Sequence, residues 1–391
     1  MPGTSELHLA VALDGAGWHP AAWREPAARP GELFTAGYWA DLAREAETGA
    51  LDFLTIEDSL GIQAADRFGG PDERTDQVRG RLDAVLVAAR IAPLTRHIGL
   101  VPAAVTTHTE PFHLSTSIAT LDFVSEGRAG WRPRVSGSPH EARHFGRREV
   151  PAPAHGLFDE AADAVEVVRR LWDSWEDDAV IRDQPTGRFV DRDKLHYIDF
   201  EGRWFSVRGP SITPRPPQGQ PVVAALAHSR VPYVFAARSC DVVFITPATA
   251  PHAADIVAQV RDAEIDTERA GPPLQIYADL TVFIDERPGA AAARKRRLDE
   301  LDGAELATDT AVFAGTPDEL AGLLADWRAT AGLDGFRLRP GALPDDLAQI
   351  TRGLVPRLRR DGTFRAGYAE STLRARLGLT RPASRYEGSV A

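Results

Sequence analysis

His108, Glu110 and His113 set two imidazoles and a carboxylate close together, and these are donor types that zinc accepts. Their spacing opposes a metal site. A helical zinc pair needs histidines four apart, whereas these are five apart with Pro111 between them. The cluster therefore reads as a loop-to-helix junction with one histidine facing a ligand, and no metal is expected. Residues 136–140 (SGSPH) do not form a Gly-x-Ser-x-Gly elbow, and residues 125–130 (SEGRAG) lack the glycine spacing of a dinucleotide loop. Cys240 is the single cysteine and sits in an apolar run, so it reads as a packing residue in a reducing compartment. Asp159, Glu160, Asp163 and Glu166 share a helix face of the kind that solvent usually covers.

The elements that position such groups follow from composition and period. The chain has 391 residues, 43% hydrophobic and 26% charged, with 45 Lys+Arg against 56 Asp+Glu and a net charge of −11. A phosphate backbone repels such a chain unless it has a concentrated basic patch, so nucleic-acid binding is not expected. No run approaches the roughly 18 apolar residues of a membrane span, and the first residues lack a basic, apolar leader. The expected location is cytoplasmic.

Strand-like runs alternate with helical stretches along the chain. The strands are expected at 7–13, 51–57, 97–105, 128–135, 221–226, 241–246, 275–284 and in AGLDGFRL near 335. Helices are expected at 38–48, 82–92, 112–122, 158–175 and in later stretches between the strands. Eight β-α units without a switch in pattern predict a (β/α)8 TIM-type barrel with insertions, one domain over 1–391. Residues 176–220 break the rhythm and read as an insertion holding one or two hairpins, and 379–391 form a less regular tail. In such a barrel the site lies at the C-terminal strand ends, which selects Asp58, residues 106–108, residues 131–136, residues 228–230 and Thr246.

Several ordered landmarks carry a resemblance. They include YWADLAREAETGALDFLTIEDS at 38–59, RHIGLVPAAVTTHTEPFHLSTSIATLDFVSEGRAGW at 96–131, EARHFG at 141–146, GRWFSVRGP at 202–210, FAARSCDVVF at 235–244 and GLVPRLRRDGTFR at 353–365. On these the chain resembles the luciferase-like flavin-dependent monooxygenases, in the branch of nitrilotriacetate, sulfone and alkane monooxygenases. The resemblance implies reduced FMN supplied by a separate NAD(P)H-dependent flavin reductase, dioxygen, a small organic substrate, and a homodimer or homotetramer. It also implies loop insertions that act as a lid. Two alternatives stay open: hydride transfer with a deazaflavin coenzyme, and a noncatalytic subunit or ligand-binding protein that has lost flavin.

Carried over by position, Asp58 and Thr106 match residues beside the flavin, and Ser229 matches a serine of the family's phosphate loop. Trp131 would lie below the ring. His155 and Phe158 fall where the family has His and Tyr, so Phe158 lacks the phenol. Arg132 replaces an amide expected to face the isoalloxazine. Where the family has Gln-Ala-Gly-Ser-Ser and then a glycine, this chain has Ala225 to Arg230 and then Pro232, so His228 and Arg230 would grip phosphate by charge. His108 and His155 are the expected acid-base groups.

Overall fold

Buried apolar runs alternate with amphipathic helices, and each core run becomes a parallel strand. The computed structural model describes residues 6–64, 72–147 and 154–387. Its strands are β1 (His8–Leu13), β2 (Phe53–Ile56), β3 (Gly99–Val105), β4 (Gly130–Arg134), β5 (Val222–Ala227), β6 (Val242–Ile245), β7 (Gln275–Ile284) and β8 (Gly335–Pro340). Each pairs in parallel with its neighbours in chain order, β6 pairs with β7, and β8 returns to β1 with Gly335 opposite His8, which closes an eight-stranded barrel. All eight sit where the alternation predicts them, within a few residues.

The helices around the barrel are α1 (Ala36–Thr48), α2 (Ala84–Ile91), α3 (Pro111–Val124), α4 (Pro139–Phe145), α5 (Ala154–Asp173), α6 (Arg230–Ser239), α7 (Ala250–Asp266), α8 (Ala290–Asp302) and α9 (Pro317–Ala331). Their starts are fixed by side chains that accept orphan N–H groups. Thr35 caps α1, Asp83 caps α2, Thr249 caps α7, and Thr316 with Glu319 forms a reciprocal capping box on α9. The strand Ala311–Gly315 was not anticipated. It pairs with the last residues of β7, whose ten-residue length lets it serve both the barrel and this extra strand.

Two apolar layers result from the two-residue period of the strands. The outer layer lies between strands and helices. The inner one joins Ala10, Phe53, Val101, Val222, Ala224, Val242, Phe244 and Tyr277 to Leu373, Leu377 and Leu379 from the chain's last segment. Leu373 seats against β3: a Cβ on Gly99 would stand 2.7 Å from a Leu373 methyl, so the plug needs a glycine there. Arg376 donates to the carbonyls of Asp52 and His97, and Arg374 donates to that of Gln220 and pairs with Asp241, which ties the plug to the strand starts. One end of the barrel is thereby stoppered.

The 176–220 insertion holds two hairpins, Val180–Asp183 with Arg188–Val190 and Phe200–Glu201 with Ser206–Val207. Ile198, Phe200, Phe205 and Val207 pack on Val167 and Leu171 of α5. Running from the end of α5 to the start of β5, the insertion lies at the stoppered end, away from the strand C-termini. It is therefore not placed to cover the mouth. Among the described residues, long segments follow β1, β2 and β4 at the mouth. If the plug seals the barrel, Leu373→Ala should cost about 2–5 kcal/mol in urea unfolding, from lost burial plus a cavity; a loss under about 1 kcal/mol would contradict it.

Candidate active site

Above the inner apolar layer the barrel interior is ionic. Arg337 and Arg339 stand two apart on β8 and so face the same way, into the barrel, where both reach Asp279 of β7. The Arg337 Nε donates to Asp279 Oδ1 at 2.8 Å and the Arg339 Nε to Asp279 Oδ2 at 2.9 Å. Arg337 Nη1 continues to Glu57 Oε1 at 3.2 Å and to the Thr55 hydroxyl at 3.1 Å. Glu57 follows β2 and also pairs with Arg132 of β4. Arg339 extends the chain outward to Asp309. Arg337 lies 4.1 Å over the Phe244 ring and Arg339 4.3 Å over Trp18, so their guanidinium faces are covered as well as their edges.

These charges are nearly waterless, and that sets their protonation. Burial opposes ionisation of Glu57, but Arg132, Arg337, Arg339 and Arg134 overcome it and hold the carboxyl at about 2. Burial brings Arg132 down to about 10 despite Glu57. Asp309 is lowered: burial opposes its charge, while Arg339 and His228 favour it. Arg132 spends Nη2 on Glu57, but its Nε has no hydrogen-bond partner, although the residue is only 4% exposed. The mouth thus has a floor of paired charges in which the buried Arg132 Nε–H is unspent.

The residues singled out from the sequence fall into three groups. Asp58, Thr106 and Thr107 brace the rim. Asp58 accepts from Ser59 N at 2.7 Å and from Ala84 N at 3.0 Å, and burial raises its carboxyl above the usual range. Thr106 Oγ1 donates to the Arg134 carbonyl at 3.2 Å, and Thr107 Oγ1 accepts from Ser136 N at 2.9 Å, so the two hydroxyls bind the end of β3 to that of β4. His108 is buried with its ring stacked on Phe145 of α4 at 4.9 Å.

His228 and Ser229 form a second group at the ends of β5 and β6. His228 Nδ1 lies 2.8 Å from Thr246 Oγ1, and Nε2 lies 3.5 Å from Asp309. Ser229 is the N-cap of α6, but its hydroxyl makes no capping bond. Pro232 has no N–H and Tyr233 N donates to the Ser229 carbonyl, so the N–H groups of Arg230 and Val231 are the ones that open the helix.

The third group lies elsewhere. The Arg230 side chain, expected at a phosphate, reaches back to Asp266 and the Gln259 carbonyl of α7. Trp131 points outward: β4 alternates, so with Arg132 inside, Trp131 is buried in the outer core, not below a bound ring. Phe158 packs on Phe235 of α6 at 5.6 Å, and His155 is an exposed residue in the first turn of α5. Glu57, Asp279, Asp309, Arg337 and Arg339 were not foreseen. The signal for three of them was present: Arg337 and Arg339 at alternate positions in the otherwise apolar strand GFRLRP, and Asp279 as the one charge in QIYADLTVFI.

Comparison with known proteins agrees with this geometry. The profile of a family described as luciferase-like monooxygenase matches residues 16–348. N-acetyl-S-(2-succino)cysteine monooxygenase of Bacillus subtilis (strain 168) is 30% identical, over 97% of this chain and 98% of that protein. Nitrilotriacetate monooxygenase component A of Aminobacter aminovorans is 29% identical, over 98% of each. The solved structure of a riboflavin lyase with modified FMN and riboflavin superposes with a TM-score of 0.86 at 26% identity, over 98% of both chains.

Glu57 makes the floor sensitive to acid. Its folded pKa lies below the ordinary 4.5, so its stabilisation is complete above that value and is lost as pH falls towards 2. Glu57→Gln should destabilise the protein at pH 7 by roughly 3 kcal/mol, and the gap to the unmutated chain should close between pH 4.5 and 2. A gap constant across urea titrations in that range would contradict the role.

Proposed function

The chain belongs to the luciferase-like monooxygenase family, and from that membership we propose that it is the oxygenase of a two-component system. It takes reduced FMN from a separate NAD(P)H-dependent reductase and uses dioxygen to oxygenate a small organic molecule. The observation that carries the reading is the end-to-end match to a monooxygenase named as a component. The family also supports a homodimer or homotetramer. No helix among the described residues is long and apolar enough to cross a membrane, and the single cysteine supports a cytoplasmic setting.

The residues at the mouth fit the cofactor. The unspent Arg132 Nε is a buried donor at the floor, suited to a ring system rich in carbonyl and imine acceptors. His228, the Ser229 hydroxyl and the opening N–H groups of α6 are the donor types that hold a phosphate monoester. When bound, reduced FMN supplies the electrons with which dioxygen is activated. The protein's part is positioning and exclusion of water. Ionised Glu57 keeps Arg132 in place, Asp58 and Thr106 hold the rim, and the Leu373 plug shuts out water from below.

Two experiments test this. In an anaerobic titration the purified protein should bind reduced FMN saturably at one per chain, and turnover should then consume dioxygen. No saturable binding overturns the reading, and turnover without dioxygen would point to hydride transfer by a deazaflavin. If His228 contacts the phosphate, His228→Ala should weaken FMN about ten-fold or more while changing riboflavin affinity little. Equal losses for FMN and riboflavin would remove His228 from that seat.

A further inference from the structure

The turn that ends α8 anchors two of the segments at the mouth. From the segment after β1, Arg24 Nη1 donates to the Leu301 carbonyl at 2.9 Å, and His19 Nε2 lies 3.1 Å from Asp299 Oδ1. From the segment after β2, Arg74 Nη2 donates to Asp302 Oδ1 at 2.9 Å and to the Asp302 carbonyl at 2.8 Å, and Gln77 Nε2 donates to the same carboxylate at 2.8 Å. Asp302 is the last residue of α8, where the helix dipole disfavours a carboxylate. Its charge therefore serves the segment it receives and not the helix.

The two segments are held differently. The one after β1 is fixed by apolar burial as well, since Ala16, Ala21, Ala22 and Leu33 belong to the core. Residues 72–83 contain no buried residue, and Val78 and Leu82 only edge the core. The other ties of this segment are polar too: Gly80 exchanges two hydrogen bonds of 2.9 Å with the Gln63 side chain, and Arg81 Nη2 lies 3.5 Å from Asp14 Oδ1. A segment with so few buried apolar contacts opens without unfolding the rest. What it covers is shown by the cavity beneath it, which Val78 and Arg81 line together with Asp14 and Glu57, the residues that follow β1 and β2. That cavity measures about 10 Å³, room for one water molecule. A ligand that reaches Glu57 from this side has to displace the segment.

We propose that residues 72–82 are a strap across the β1–β2 side of the mouth, latched shut by Arg74 and Gln77 on Asp302 and released to admit ligand. The inference rests on the oxygenase reading only for what is admitted, because the latch is measured without any ligand.

Asp302→Ala removes the catch and leaves the sequence of the strap unchanged. Trypsin cleavage within 72–82 of the full chain, without FMN, reads the open population. It should quicken about five-fold or more in the variant, with Tm within about 2 °C of the unmutated chain. Equal cleavage rates overturn the proposal, and so does a fall in Tm of many degrees, because the contact would then be structural. Anaerobic stopped-flow mixing with reduced FMN gives a second reading. Association should quicken by a similar factor in Asp302→Ala, and equal association rates overturn the proposal. Failure of FMN to bind either chain speaks against the oxygenase reading alone, because the cleavage rates still decide the latch.

Discussion

Asp279 is shared by two arginines inside a barrel, and the upper half of the molecule is organised around that sharing. Arg337 is fully buried, Arg339 nearly so, and neither can be left without a counter-charge at such depth. The carboxylate between them fixes β7 against β8. Glu57 and Arg132 carry the same alternation of sign across to β2 and β4. Such a network adds little net stability compared with apolar packing, because desolvation offsets most of the attraction. What it contributes is geometry, since each guanidinium has one orientation that satisfies its neighbours. A slip of one residue in β8 would turn Arg337 and Arg339 into the outer core and leave Asp279 unpaired.

The two ends of the barrel are consequently unlike. One is stoppered by leucines and tied to the strand starts by Arg374 and Arg376. The other ends in paired charges, a braced rim and the opening of α6. Placing the irregular 176–220 segment at the stoppered end leaves the mouth to the segments after β1, β2 and β4, with α4 as part of the wall.

The barrel was legible in the sequence because its signals are local: a two-residue period in strands, a 3.6-residue period in helices, and cap residues at their boundaries. The site was legible only in part. Asp58, Thr106 and His108 lie at the rim because strand-end position alone identifies them. Trp131 shows the limit of that reasoning: adjacent strand residues face opposite ways, so with Arg132 inside the barrel Trp131 lies in the outer core. The Arg230 side chain was not legible either: it bends to α7, and the Asp266 it meets is 36 residues away in sequence. Charges such as Asp279 and Arg337 looked like interruptions of apolar strands until the closed barrel brought them together across 58 residues.

The claim that the ionic floor seats the cofactor is tested most directly by a crystal structure of the protein grown with saturating FMN. The account predicts the ring system at the mouth accepting a hydrogen bond from Arg132 Nε, with Glu57 still paired to Arg132 and the phosphate at His228 and the opening of α6. A mouth without FMN at saturation, or a flavin bound with Arg132 swung away from Glu57, would contradict it.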